Sequence, residues 1–323
     1  MASLKVGVIG VGVLGRHHAR LYGECERAEL VGIYDLNPDH AANIAKEFST
    51  TPYATIEELA AGCDALSVAV PTDIHFPVVS DLLKQGKHVL VEKPMAATVE
   101  EGAALVELAA EANRVLHVGH VENYNPVITY LDGKIDNPRF IEAHRLASYP
   151  PPRPGMRPRG TEVGVVMDLM IHDIDIILHL VNRDVVRVDA VGIPVLSPTE
   201  DIANARLTFD GGCVANITAS RVSQDVMRKI RVFQSDAYLS LDYGAHEGEV
   251  CLLNGMSVSR EPVPINKHNA LLKELQGFVD AVHEAMSSGK VPKIGVSGER
   301  AQKALQIANE ILACMAASPA TAK

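Results

Sequence analysis

The chain has 323 residues, 47% hydrophobic and 22% charged, the balance of a globular protein long enough for two domains with sizeable cores. A formal charge of −10 argues against a general nucleic-acid or anionic-membrane binder, and no apolar run approaches the roughly 20 residues that span a bilayer. The odd set Cys25, Cys63, Cys213, Cys251 and Cys314 has no C-x-x-C pair, and no His/Cys cluster has ligand spacing, so neither a disulfide framework nor a metal is expected. No basic leader precedes a long apolar stretch, and a reducing cytoplasm is the expected location.

In chain order, the first 120 residues alternate apolar runs with helical patterns. "LKVGVIG", "AELVGIYD", "CDALSVAVP", "KHVLVEKP" and "RVLHVGH" read as strands, and 14–24, 38–48, 74–85 and 99–113 read as helices. Near-continuous apolar strands separated by helices predict a doubly wound parallel sheet over residues 1–121. Residues 122–323 follow a different rhythm. A short helix and the strand "RFIEAHRLASY" lead into the irregular loop "PPPRPGMRPRG", and a strong helix follows at 165–181. Six further strand-like runs between 185 and 253 have no helix between them, which predicts a mostly antiparallel open sheet. Helices near 271–287 and 298–316 close the chain.

Three places carry chemistry. Gly10, Gly12 and Gly15 form G-x-G-x-x-G between the first strand and the first helix. Such glycines permit a tight turn, close approach of a pyrophosphate and close helix packing, while the helix N-terminus offers N–H groups to the phosphates. The turn also includes Val11 and Leu14, and the second strand ends at Asp35, placed to bind both ribose hydroxyls of an adenosine. That carboxylate would repel a 2′-phosphate, so NAD is expected over NADP, although Arg16 lies nearby.

Pro71, Thr72, Asp73 and His75 follow a later strand, and Thr72 or Asp73 can also be read as a helix cap. Glu92, Lys93 and Pro94 end another strand of the same sheet and therefore face the crevice at the carboxyl ends of its strands. The Lys93 ammonium can lower the cost of a developing alkoxide, and Pro94 can fix the strand's exit through a cis bond. In the later helix, Asp168 and His172 are four apart, hence on one face. A His held by a carboxylate suits a general base, and equally an interfacial structural pair.

These motifs together resemble the glucose–fructose oxidoreductase/inositol dehydrogenase (Gfo/Idh/MocA) family. The resemblance rests on the Gly10–Gly15 turn, Pro71 to His75, the Glu92-Lys93-Pro94 signature and Asp168-x-x-x-His172. It implies an N-terminal NAD-binding domain contacting cofactor through Gly10, Val11, Gly12, Leu14, Gly15, Asp35, Pro71, Thr72, His75, Glu92 and Lys93. It also implies a C-terminal α+β domain that binds substrate and joins subunits into a homodimer or homotetramer through its sheet, with the last helix packed back on the first domain. Lys93 and His172 are then the catalytic pair, with Asp168 positioning substrate or His172. After the sixth strand the family's usual aromatic–Arg pair is replaced by Glu122, Asn123 and Tyr124, of which Tyr124 is the candidate substrate contact.

"EVGVVMDLMIHDIDI" and "ANARLTFDGGCVANITASR" are similar to the family's bacterial UDP-N-acetylglucosamine 3-dehydrogenase branch. Arg153, Arg157 and Arg159 fit that branch, because Arg forks suit phosphate oxygens, while any one of them also fits a solvated loop. The expected activity is therefore NAD-dependent oxidation of a secondary sugar hydroxyl, at C3 of a UDP-N-acetylhexosamine. A dehydrogenase of a free polyol such as inositol and a non-catalytic NAD-binding regulator are the alternatives.

Overall fold

The structure is a computed structural model and describes residues 3–151, 163–254, 257–293 and 295–317. Its contacts divide into two units, one of residues 1–124 with 269–303, the other of 125–268 with 304–323.

The first unit carries strands β1 (Leu4–Ile9), β2 (Ala28–Tyr34), β3 (Thr51–Pro52), β4 (Ala65–Val68), β5 (His88–Glu92) and β6 (Leu116–Gly119). Helices α1 (Val13–Tyr22), α2 (Pro38–Glu47), α3 (Ile56–Ala61), α4 (His75–Lys84) and α5 (Val99–Ala112) connect them. The sheet is parallel in the order β3-β2-β1-β4-β5-β6, so the chain reverses direction of winding between β1 and β4. Ligands of doubly wound sheets sit at the carboxyl ends of strands at such a switch point, where the glycine turn begins. β4, β5 and β6 are buried along their whole length, which explains their unbroken apolar runs.

Two elements of this unit are not legible in the sequence. β3 is only two residues long and contains Pro52, so it leaves no periodic pattern. α3 is announced by Thr55, whose side chain accepts the Glu58 N–H, a cap without a long apolar stripe behind it.

The second unit contains α6 (Pro126–Leu131), β7 (Phe140–Leu146), α7 (Ile171–Val181), β8 (Val185–Ile193), β9 (Ile202–Phe209), β10 (Val214–Ser220), β11 (Met227–Phe233), β12 (Ala237–Asp242), β13 (Glu247–Asn254) and β14 (Ser257–Pro262). Their sheet runs β14-β13-β12-β11-β7-β10-β9-β8 and is antiparallel except where β7 pairs β10. Ile141, Ala143, Ala205, Leu207, Ala215 and Ile217 alternate inward along β7, β9 and β10 and pack with Ile174 and Ile177 of α7.

Two closing helices follow, α8 (Ala270–Ser288) and α9 (Gly298–Ala317). Leu275, Phe278, Val279 and Val282 of α8 belong to the first unit's core, whereas Ala304, Ala308, Ile311 and Met315 of α9 belong to the second's. The helix packed back on the first unit is thus α8 with only the opening residues of α9, because α9 turns its apolar stripe to the second core. Among the described residues no helix is long and apolar enough to cross a membrane.

Candidate active site

The three glycines of the first turn are required for three different reasons. Gly10 adopts φ +81°, in the left-handed region, and a Cβ there would lie 2.8 Å from the Ala69 carbonyl oxygen. A Cβ on Gly15 would lie 1.8 Å from the Gly10 carbonyl oxygen, so α1 can start this close to the turn only without a side chain. Gly12 has nothing within 4 Å of where its Cβ would be, and no side chain caps the first turn of α1. Open backbone before uncapped helical N–H groups is the cradle that a dinucleotide pyrophosphate fills. The residues present therefore fit such a cofactor.

Asp35 closes the turn from the end of β2. One carboxylate oxygen accepts the Val11 N–H at 2.9 Å and the other the Asn37 N–H at 3.0 Å, while His40 Nε2 lies 2.9 Å from the Val11 carbonyl. Each oxygen keeps a further lone pair for a ribose hydroxyl. The Val11 side chain is buried, so only its backbone faces the turn, whereas Leu14 is exposed on α1. Arg16 is held by Glu47 of α2 through two contacts, Nη2 to Oε1 at 2.5 Å and Nε to Oε2 at 3.2 Å.

Pro71 opens a single 3-10 turn at Thr72–Ile74, and neither Thr72 nor Asp73 caps it or α4. His75 is buried, with Nδ1 2.9 Å from the Pro94 carbonyl and Nε2 2.9 Å from the Val70 carbonyl. Burial lowers its pKa while those two backbone contacts raise it, and the ring bridges the turn after β4 and the turn after β5. The Lys93–Pro94 bond is cis. At the end of β5, Glu92 is buried and Lys93 half-buried.

Tyr124 sits in the turn after β6. Its hydroxyl lies 3.5 Å from His117 Nε2, and a Cβ on Gly277 of α8 would come within 3.1 Å of it, so this hydroxyl is engaged inside the first unit. Burial, with His120 beside it, brings the His117 pKa down to about 3 and keeps that ring neutral.

In the second unit the helix over 165–181 is not uniform. Val166–Met170 form a π turn with Asp168 inside it, and α7 follows with His172 as its second residue. π turns widen the helix and recur at functional sites. Both side chains are half-buried. Their frame is a buried network. Asp201 accepts the N–H groups of Val195, Leu196 and Ser197 at 2.8, 2.6 and 2.8 Å and pairs with Arg221 Nε at 2.7 Å. Burial alone would raise the Asp201 pKa, but the Ser197 N–H, Arg221 and the neighbouring N–H groups outweigh it and hold the carboxyl well below its ordinary range.

Arg221 also donates to the Val163 carbonyl at 2.8 Å, and Glu200 accepts the Val166 N–H at 3.2 Å, which fixes the start of the π turn. On the other side, Asp173 pairs with Arg145 Nε of β7 at 2.8 Å and accepts the Tyr243 hydroxyl. His179 pairs with Asp132 at the surface. Arg153, Arg157 and Arg159 lie outside the described residues.

The local reading missed Asp201 and Arg221, whose loop and strand lie far along the chain from the helix they frame. It also missed His18 and Ser67. His18 was within reach, since Gly15, His18, Ala19 and Tyr22 follow the buried stripe of α1.

Residues 4–120 match the model of an oxidoreductase family with an NAD-binding Rossmann fold, and residues 130–240 match the GFO/IDH/MocA C-terminal domain. The chain is 37% identical over 289 residues to a UDP-N-acetylglucosamine 3-dehydrogenase of Acidithiobacillus ferrooxidans, covering 87% of this chain and 90% of the relative. A solved structure of the A. ferrooxidans enzyme superposes with a TM-score of 0.89 at 34% identity, over 98% of this chain and 99% of that one. A scyllo-inositol 2-dehydrogenase (NAD(+)) of Bacillus subtilis is 26% identical over 90% of this chain and 88% of its own length. With both domains matched and the glycine cradle in place, the chain is an oxidoreductase, not a non-catalytic regulator, and it belongs to the Gfo/Idh/MocA family.

Proposed function

We propose that this protein is a dehydrogenase that oxidises C3 of a UDP-N-acetylhexosamine, such as UDP-N-acetylglucosamine, with NAD as acceptor. The observation that carries the reading is the 37% identity to a relative named for that reaction, over 90% of the relative's length. The bound nicotinamide supplies the hydride acceptor. His172 takes the hydroxyl proton, and Asp168 holds the imidazole in position for it. Lys93 donates to the oxygen as it gains charge, where a fixed ammonium counts for more than in water. Arg153, Arg157 and Arg159 supply the forks for the diphosphate. Association of subunits through the second unit's sheet belongs to the same reading.

NAD over NADP rests on Asp35 at the end of β2 and on Arg16 being held by Glu47. Calorimetry should give tighter binding of NAD than of NADP. Asp35→Ala should narrow the gap, and it should also weaken NAD binding because it releases the Val11 N–H. Equal affinity of the unaltered protein for both cofactors would contradict this assignment.

The substrate class is tested by offering free sugars, polyols and nucleotide sugars while following NADH absorbance. UDP-N-acetylglucosamine should reduce NAD and UDP alone should inhibit. At least one of Arg153→Ala, Arg157→Ala and Arg159→Ala should raise KM about tenfold or more, the scale of a lost contact of about 1.5–3 kcal/mol. Strong activity on inositol or glucose, with UDP neither binding nor inhibiting, would favour the polyol alternative.

A further inference from the structure

Glu92 poses a physical problem that the reaction does not answer. It is a carboxylate at the buried end of β5, where removal from water is costly unless its charge is paired and hydrogen-bonded. Its Oε1 lies 3.0 Å from Nε2 of His18, a residue of α1 that is 0% exposed. His18 Nδ1 lies 2.8 Å from Ser67 Oγ of β4, and the Tyr22 hydroxyl donates to that Oγ at 3.3 Å. Toward the Glu92 carboxylate, which only accepts, His18 Nε2–H is the donor, while Nδ1 meets the Ser67 hydroxyl. Glu92 Oε2 accepts the Lys93 N–H at 3.3 Å.

Gly119, paired with Glu92 across β5 and β6, is the floor under this carboxylate, since a Cβ there would lie 3.0–3.1 Å from its carboxyl atoms. Burial would raise the Glu92 pKa, but the His18 hydrogen bond and charge and then Lys93 bring it below its ordinary value. Glu274 of α8 is 0% exposed with no hydrogen-bond partner on either carboxyl oxygen, and burial with the nearby Glu92 charge pushes its pKa well up.

We propose that His18 is a positioning residue for Lys93. Held by Ser67, to which Tyr22 donates, it fixes the Glu92 carboxylate over Gly119, and Glu92 in turn fixes the backbone from which the Lys93 side chain departs. The proposal rests on the reading of Lys93 as the catalytic ammonium, and it adds three elements, α1, β4 and β6, to the machinery that aims it.

The test compares His18→Phe, His18→Gln, Lys93→Met and the double variant His18→Phe/Lys93→Met, using UDP-N-acetylglucosamine and NAD, with NAD binding measured by calorimetry. A substrate-independent reading is the rate at which acetic anhydride acetylates Lys93, followed by peptide mass spectrometry. His18→Phe should lower kcat about tenfold or more, the scale of a small misplacement of a reacting group, with KM and NAD affinity changed far less. It should also change Lys93 acetylation by about threefold or more, by moving the carboxylate beside it, while other lysines label as before. His18→Gln, which keeps a donor toward Glu92, should restore most of both readings. The double variant should be no slower than Lys93→Met alone.

Unchanged kcat and unchanged Lys93 labelling in His18→Phe would overturn the proposal, as would a further tenfold loss in the double variant. If instead Lys93→Met turns over normally while His18→Phe still alters Lys93 labelling, the catalytic reading of Lys93 fails and the placement by His18 stands. Should His18→Phe not fold, Ser67→Ala carries the same comparison. It should lower kcat severalfold at constant KM, and a kcat equal to that of the unaltered protein overturns the proposal.

Discussion

Replacing Lys93 by Met or His172 by Ala should slow turnover by roughly 10²-fold or more while NAD still binds, the scale of a lost acid/base group or of a lost donor to a developing oxyanion. Lys93 follows β5 half-buried, with its backbone N–H donated to the Glu92 carboxylate at 3.3 Å. His172 follows a π turn whose start is held by Glu200 and Arg221 and whose far side is held by Asp173, Arg145 and Tyr243. Neither variant removes a core side chain. The loss should therefore fall on kcat, in initial rates at saturating NAD and UDP-sugar, and not on the thermal midpoint. Near-normal turnover of His172→Ala would pass the base role to another residue.

The second large effect concerns stability. Asp201→Ala should cost about 3–5 kcal/mol, because it strands the buried Arg221 guanidinium and also deprives three backbone N–H groups of their acceptor. The thermal midpoint should fall by roughly 10 °C. The pH dependence follows from the depressed pKa of Asp201 in the folded protein. A carboxyl held below its unfolded value of about 3.9 stabilises fully above that value and loses its contribution as pH falls through the folded pKa. The unaltered protein should therefore lose stability on acidification below about pH 4 more steeply than Asp201→Ala, whose curve lacks this contribution. A drop of only a degree or two in calorimetry would mean that the surrounding loop rearranges to satisfy Arg221.

Much of the fold was legible because its signals are local. Unbroken runs such as "HVLVE" belong to strands buried on both faces, alternation along β9 and β10 belongs to a half-covered sheet, and the glycine turn announces its own geometry. The missed elements lack such signals. β3 is two residues long, α3 has a cap but little stripe, and β14 is an edge strand exposed along most of its length.

The candidate site divides in the same way. Glu92, Lys93 and Pro94 stand out as polar residues ending an apolar run. Their support does not, because His18 and Ser67 are 74 and 25 positions before Glu92 and meet it only once α1, β4 and β5 are assembled. Asp168 and His172 were visible by spacing, but the π turn was not, since Glu200 and Arg221, which bond the start of the helix, lie far along the chain from it. Tyr124 read as a pocket residue from its place after β6, yet its hydroxyl faces His117 and α8, an element about 150 residues later.

The central claim is hydride transfer from C3 of a nucleotide sugar, and one labelling measurement addresses it directly. UDP-N-acetylglucosamine carrying deuterium at C3 is incubated with NAD and the unaltered protein, and the reduced cofactor is analysed by mass spectrometry. The expected result is deuterium in the reduced nicotinamide, formation of the 3-keto nucleotide sugar, and a slower rate than with the unlabelled substrate when hydride transfer limits turnover. Reduced cofactor without deuterium, or no reduction by this substrate alongside strong reduction by free inositol, would contradict it.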